Sequence, residues 1–237
     1  MTTTGTAENA GEPLPVLNSG TTADILLIDD ARVLRRYHES HDSTAEAALM
    51  RHVAAYDFPV PALYSVEGSD LLMERLHGPT LLQALAAGEL NMQDGAEIMA
   101  DLHRRLHAVP APDGAAPGAV VIHLDLQPAN IILSESHGPA LVDWANARTG
   151  SPDLDIALSA IVLAEVAADS NGAYSRAALT MLVAFLALAD GDPLAQLDTA
   201  VASRLADLAL VPGERDLVPA AADLVRRYST DVIIGGS

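Results

Sequence analysis

The sequence predicts an α+β fold in two lobes, a small β-rich lobe followed by a larger helical one. Short apolar runs separated by turn residues fill the first third of the chain around a single helical stretch. Helical periodicity then dominates to the end. The exception is the segment from Val120 to Trp144, where strand-like runs bracket polar loops. Two lobes imply a cleft, and that polar segment is placed to line it.

Residues 1–12 are small and polar and are expected to be mobile. The first lobe, 13–77, opens with "LPVL", the "NSGTTA" loop, "DILLID", a "DDA" turn and "RVLRRY". Ala45, Ala48, Leu49, His52 and Val53 then recur at helical spacing, with Ser43 or Thr44 as the expected N-cap. "FPVPALYSV" and "DLLMERL" read as two further strands, completing an antiparallel sheet. In the second lobe, 78–237, helices are expected at Leu81–Ala87, Met92–Ala108, Asp155–Ala168, Ala173–Ala189, Pro193–Leu210 and Glu214–Tyr228. There "AVVI", "NIIL" and "PALVDW" are the strand-like runs.

Composition narrows the function classes. The 237 residues are half hydrophobic and only 3% aromatic, which suits helices packed with aliphatic side chains. A net charge of −19 repels nucleic acid and anionic membrane and attracts cationic substrates. Every basic residue is Arg, so neither a Schiff base nor a Walker-type phosphate loop can operate. Without Cys there is no disulfide, thiolate metal site or Cys nucleophile. "MTTTGTAENAGEPLP" has no basic or apolar leader region, and no uncharged run reaches membrane-spanning length. The expected location is the cytoplasm, with no membrane or nucleic-acid partner; nothing sets the oligomeric state.

"HLDLQPANIIL" carries the chemistry. Asp125 and Asn130 lie five apart, and Asp143 follows Asp125 by 18 at the end of an apolar run. An Asn amide and an Asp carboxylate converging from adjacent strands offer the hard oxygens that Mg²⁺ takes with phosphates. A separate Asp can orient or deprotonate a hydroxyl. In a chain with no Cys and no Lys, this set points to Mg²⁺-dependent phosphoryl transfer. Each residue taken alone reads equally well as a turn cap.

"HLDLQPANIIL" and "ALVDWANARTGSPDLDIAL" together resemble the catalytic region of the aminoglycoside phosphotransferase/choline kinase-like family, a branch of the protein-kinase fold. That family's usual form is H-G-D-x-x-x-x-N, then I-D-W, then G-D-P-x-x-D-L-A. The resemblance implies a bilobal protein-kinase-like fold with Asp125 as catalytic base and His123 bracing its loop. Asn130 and Asp143 would hold Mg²⁺, Asp155 would anchor the next helix, and Trp144 would pack. Ile132 and Val142 would floor the nucleotide base.

In the first lobe Arg35 stands where the family carries Lys, on one strand face with Val33 and Tyr37, and Glu46 is its expected partner. Ser19, Gly20 and Thr21 would cover the phosphates. The backbone around Glu74 and Leu76 would read the base edge, with Met73 at the back of the pocket.

The implied function is an ATP- or GTP- and Mg²⁺-dependent phosphotransferase acting on the hydroxyl of a small molecule, of the amino-sugar or other cationic class. Arg35, the single glycine of "NSGTTA" and Leu124 in place of Gly favour an alternative, a catalytically silent nucleotide-binding module. A metal hydrolase built on His123, Asp125 and Asp143 is a third reading. His103 and His107, four apart on a helix, can in principle share a metal, but Arg104 and Arg105 between them argue against it.

Overall fold

A computed structural model of the chain describes residues 13–39, 41–169, 174–207, 210 and 213–235, with side chains to 230. The segment expected to be mobile, 1–12, lies outside the described residues.

The first lobe contains β1 (Val16–Ser19), β2 (Ala23–Leu27), β3 (Arg32–Tyr37), α1 (Thr44–Ala54), β4 (Leu63–Glu67) and β5 (Asp70–Glu74). Its strands form one antiparallel sheet in the order β1-β2-β3-β5-β4, so β3 lies at the centre. Alternation puts Val33, Arg35 and Tyr37 on the buried face of β3, while Arg36 turns outward to Asp70 at 2.6 Å. α1 buries Ala47, Met50 and Val53 at three-residue spacing. Ser43 stands at the N-cap position, as expected, but its side chain makes no cap; Asp42 instead accepts the Thr44 N–H at 3.0 Å. "FPVP" is not strand: Pro59 and Pro61 lack the N–H that a ladder needs, and β4 starts only at Leu63.

The connector is stitched to the second lobe. Leu133 N–H donates to the Pro79 carbonyl at 2.9 Å and Glu135 N–H to that of His77 at 3.1 Å. Gly78 has φ +144°, and a Cβ there would collide with the carbonyl of Leu133, so only glycine fits this approach. α2 (Leu81–Ala87) and α3 (Met92–His107) follow, each opened by a capping box, Thr80 with Gln83 and Asn91 with Asp94.

β6 (Val120–Ile122) leads into the polar loop, and a 3₁₀ turn at Pro128–Asn130 leads out of it into β7 (Ile131–Ser134), which pairs with β8 (Gly138–Leu141). β9 (Arg148–Gly150) pairs antiparallel with β6; three residues of "RTG" carry no strand signal, and the pairing exists only through the partner. α4 (Pro152–Ala168) is buried along most of its length. It begins three residues before the expected Asp155, since Pro152 suits the first helical position.

α5 (Ser175–Leu188) starts inside the expected helix, whose first residue lies outside the described set. The expected helix at Pro193–Leu210 is instead a 3₁₀ turn (Pro193–Gln196) and α6 (Leu197–Ala206); Leu208 and Ala209 lie outside the described residues. α7 (Glu214–Gly235) closes the lobe and runs past the expected end. The core is aliphatic, with Trp144 and Phe185 its largest fully buried side chains. Trp144 packs edge-on against Phe58 of the first lobe, with ring centroids 5.9 Å apart. No single described helix is long and apolar enough to cross a membrane.

Candidate active site

Both oxygens of Asp125 receive amide donors from its own loop. Gln127 Nε2 donates to Oδ1 and Asn130 Nδ2 to Oδ2, each at 2.7 Å, and Asn130 Nδ2 also reaches the Asp125 carbonyl at 2.9 Å. Burial, and then the charge of Asp143, push the Asp125 carboxyl up to about 6; the Gln127 and Asn130 hydrogen bonds and Arg204 oppose them. Removing one donor should therefore be visible. Gln127→Leu is expected to move the acid limb of the pH–rate profile to higher pH by about one unit, since a hydrogen bond to a charged group is worth roughly 1.5–3 kcal/mol. An unchanged limb would show that Gln127 does not bear on the ionisation of Asp125.

Behind the loop stands Asp155, fully buried in the first turn of α4. Its carboxylate accepts the His123 N–H at 3.1 Å, the Leu124 N–H at 2.6 Å and His107 Nε2–H at 2.9 Å. Burial alone would raise this acid, but His103 and His107 hold it well below the usual carboxylate range. His103 bonds Ser159 Oγ through Nε2 at 3.0 Å, and Ser159 donates to the Leu126 carbonyl at 2.7 Å. The two histidines singled out in the sequence thus brace the polar loop through Asp155 and Ser159, although their ring nitrogens and the Asp155 carboxylate lie within 4.8 Å of one another.

Leu124 pays for its position with strain: it has φ +67°, in the left-handed region where a Cβ costs roughly 1–2 kcal/mol. Gly occupies this place in the H-G-D pattern and would adopt the conformation freely. Leu124→Gly is accordingly expected to be more stable than Leu124→Ala by about 1 kcal/mol in urea unfolding, the reverse of their order at an ordinary position. Ala equal to or above Gly would refute the strain.

Opposite the loop, Arg35 bridges two acids. Its Nη1 meets Glu46 Oε1 at 3.1 Å and its Nη2 meets Asp143 Oδ1 at 2.5 Å. Tyr37 donates to Glu46 Oε2 at 2.7 Å, and the Arg35 guanidinium lies 4.9 Å from the Tyr37 ring centre. Burial raises the Glu46 carboxyl against the pull of Arg35. A solvated sheet edge is excluded for Arg35, which is 5% exposed on the central strand.

These groups border a cleft of about 920 Å³ between sheet and helices. Arg35, Asp125, Asn130 and Asp143 line it together. Gly20 and Thr21 line its rim, and Met73, Glu74 and Leu76 line its connector side. Ile132 and Val142 lie on its wall, on and beside the β7–β8 pair. Among the described residues the Leu76 N–H has no acceptor within the chain.

Three expected residues stand off the cleft. Glu46 lies behind Arg35. Ser19 donates its hydroxyl to Asp24 at 2.5 Å on the exposed strand β1. His123 is fully buried against Trp144, its Nδ1 facing the Asp125 N–H at 3.3 Å. Burial depresses the His123 imidazole to about 4. A hydrolase using His123 as a metal ligand therefore lacks its third group.

The oxygen chemistry fits Mg²⁺. The Nδ2 of Asn130 is committed to Asp125, which leaves its amide oxygen for a cation, and the Asp143 carboxylate is 45% exposed in the same cleft. Sequence reasoning missed Gln127, because a Gln two residues from a candidate base carries no signal of its own. It also missed Arg148 and the unit of Arg204 with Glu165 (2.9 Å) and Asp207 (3.0 Å), which is assembled from α4, α6 and the segment that follows α6.

Fold and site together define a protein-kinase-like phosphotransferase: a strand Arg–helix Glu pair facing an Asp-x-x-x-x-Asn loop and an Asp past the next hairpin. The model of the phosphotransferase enzyme family matches residues 14–119 and 115–189, and the chain belongs to that family, as a small-molecule kinase acting on hydroxyl groups. No curated protein matches it in sequence.

Among solved structures it is similar to a thermostable mutant of aminoglycoside phosphotransferase APH(4)-Ia in ternary complex with AMP-PNP and hygromycin B: TM-score 0.59, 14% identity, 92% of this chain and 93% of that one. A choline/ethanolamine kinase family protein from Mesorhizobium loti gives TM-score 0.58 at 14% identity, covering 95% and 94%. ADP-bound APH(2'')-Ib gives 0.52 at 13%, covering 90% and 94%. At such identity these likenesses show the fold.

Proposed function

We propose that the chain transfers the γ-phosphoryl group of ATP or GTP, with Mg²⁺, to a hydroxyl of a small molecule. The observation that carries this reading is the meeting of Asp125, Asn130 and Asp143 in one cleft with the buried Arg35–Glu46 pair. Asp125 receives the hydroxyl and takes its proton, and with its carboxyl near 6 it is ionised at neutral pH yet more basic than an ordinary carboxylate. Asn130 and Asp143 offer the oxygens for Mg²⁺, which when bound neutralises charge on the transferred group. Arg35, fixed by Glu46, orients phosphate oxygens, while Gly20, Thr21 and the Leu76 N–H frame the nucleotide. His123 acts from behind, as a brace. No covalent intermediate is needed, and catalysis is positioning and charge stabilisation.

The bound ligands of neighbours, AMP-PNP with hygromycin B in one and ATP with streptomycin in another, support a nucleotide and a small acceptor. The net charge of −19 favours a cation such as an amino sugar. One observation favours a silent nucleotide binder instead: Arg35 holds one oxygen of Asp143 at 2.5 Å.

Thermal shift with Mg²⁺ and nucleotide, joined to nucleoside diphosphate release over a panel of hydroxylated amines, separates the two. The kinase is expected to lose metal-dependent binding in Asp143→Ala, and in Asp125→Ala to keep binding while losing turnover. Metal-dependent binding unaffected by Asp143→Ala would sink this reading.

A further inference from the structure

The cleft is charged unlike the rest of the molecule. Arg35, Arg75, Arg148 and Arg204 line it against four acids, so it takes nearly a third of the 13 arginines but only an eighth of the 32 carboxylates. No Phe, Tyr or Trp is among the lining residues, so no aromatic face is there to receive an ammonium group.

Three of these arginines meet carboxylates: Arg35 meets Glu46 and Asp143, Arg75 meets Asp30 at 3.4 Å, and Arg204 meets Glu165 and Asp207. Arg148 meets none among the described residues, in a chain where acids outnumber arginines by more than two to one. It is exposed on β9 opposite Ile122, the residue that precedes His123-Leu124-Asp125. This places it on the helical-lobe side of the cleft, beside the loop that carries Asp125. The nucleotide-covering groups Gly20, Thr21 and Arg35 belong to the other lobe. The Arg148 guanidinium is free to meet a ligand in the cleft, and its planar fork suits a carboxylate.

We propose that the phosphoryl acceptor is a small hydroxy acid whose carboxylate sits on Arg148 while its hydroxyl faces Asp125. This rests on the kinase reading of the same site and departs only from the cationic acceptor that the net charge favours, because the cleft itself holds as many arginines as acids. With the other three lining arginines already paired, the cleft offers, among the described residues, one free guanidinium, which suits a singly charged or zwitterionic acid.

Matched probes test it: L-serine against ethanolamine, and glycerate against glycerol, each pair differing in the carboxylate. Calorimetric titration of the full chain with Mg²⁺ and AMP-PNP, and ADP release with ATP, are the two readouts. The carboxylate-bearing member of each pair is expected to bind at least tenfold more tightly. Arg148→Gln is expected to abolish that preference while KM for ATP stays within twofold, and Arg148→Lys to restore part of it.

Equal affinity within both pairs, binding by neither member, or preference for the uncharged or cationic member overturns the proposal. So does an Arg148→Gln variant whose loss falls on ATP, which would assign the arginine to the nucleotide phosphates. Loss of Mg²⁺-dependent nucleotide binding by the unmodified chain would instead refute the kinase reading, so the two failures are distinguishable.

Discussion

Asp155→Ala is expected to lower the unfolding free energy by about 3–5 kcal/mol, the range for breaking a buried charge network by removing one partner. The carboxylate is the shared acceptor for two backbone N–H groups and His107, so its loss orphans several buried donors together. Denaturant unfolding should show a lower midpoint with an unchanged slope. The pH dependence has a definite sign. A native pKa held low stabilises the fold above the unfolded value near 4, and that stabilisation is lost as pH falls toward the native one. The gap between Asp155→Ala and the unmodified chain should therefore narrow below about pH 4. A wild-type midpoint for Asp155→Ala at pH 7 would show that the loop is held by other means.

Asp125→Asn should separate function from stability. Turnover is expected to fall by about 10²–10⁴, the usual contribution of a positioned base, with Mg²⁺-dependent nucleotide binding retained. The fold should nonetheless gain about 1–2 kcal/mol at pH 7–8. The native carboxyl titrates at about 6, against roughly 4 in the unfolded chain, so ionising it in place costs up to about 3 kcal/mol. Asn removes that cost but leaves one of the amides of Gln127 and Asn130 facing another donor, which takes back part of the gain. Because the native value is raised, stability declines as pH rises from about 4 to 6; the advantage of Asn should be absent below pH 4 and complete above pH 6. A variant less stable than the parent at pH 8 would contradict the burial account of Asp125.

Much of this was legible because it is local. Apolar alternation around Val33, Arg35 and Tyr37 marked the buried face of β3, and helical spacing located α1, α2 and α3 to within a residue or two. The spacing from Asp125 to Asn130 marked a loop between strands, where the structure puts a 3₁₀ turn flanked by β6 and β7. Misreadings arose where apolar character outran backbone chemistry. "FPVP" is apolar enough for a strand but lacks the donors, and the helix expected from Pro193 divides because Asp192 caps a tighter turn first.

By itself the sequence determined the class of fold, the presence of the phosphotransferase loop and the exclusion of Lys- and Cys-based chemistry, since each depends on residue type and short-range spacing. Only the tertiary structure decided what those residues touch. Arg35 reaches Asp143 across 108 positions and His107 reaches Asp155 across 48. Arg148 comes to stand beside the Asp125 loop through the pairing of β9 with β6. Such contacts follow from sheet order and helix packing, and nothing in the local pattern around either partner encodes them. The charge of −19 is a sum over the whole chain, whereas the cleft holds arginines and acids in equal number, a local balance that only the tertiary structure decides.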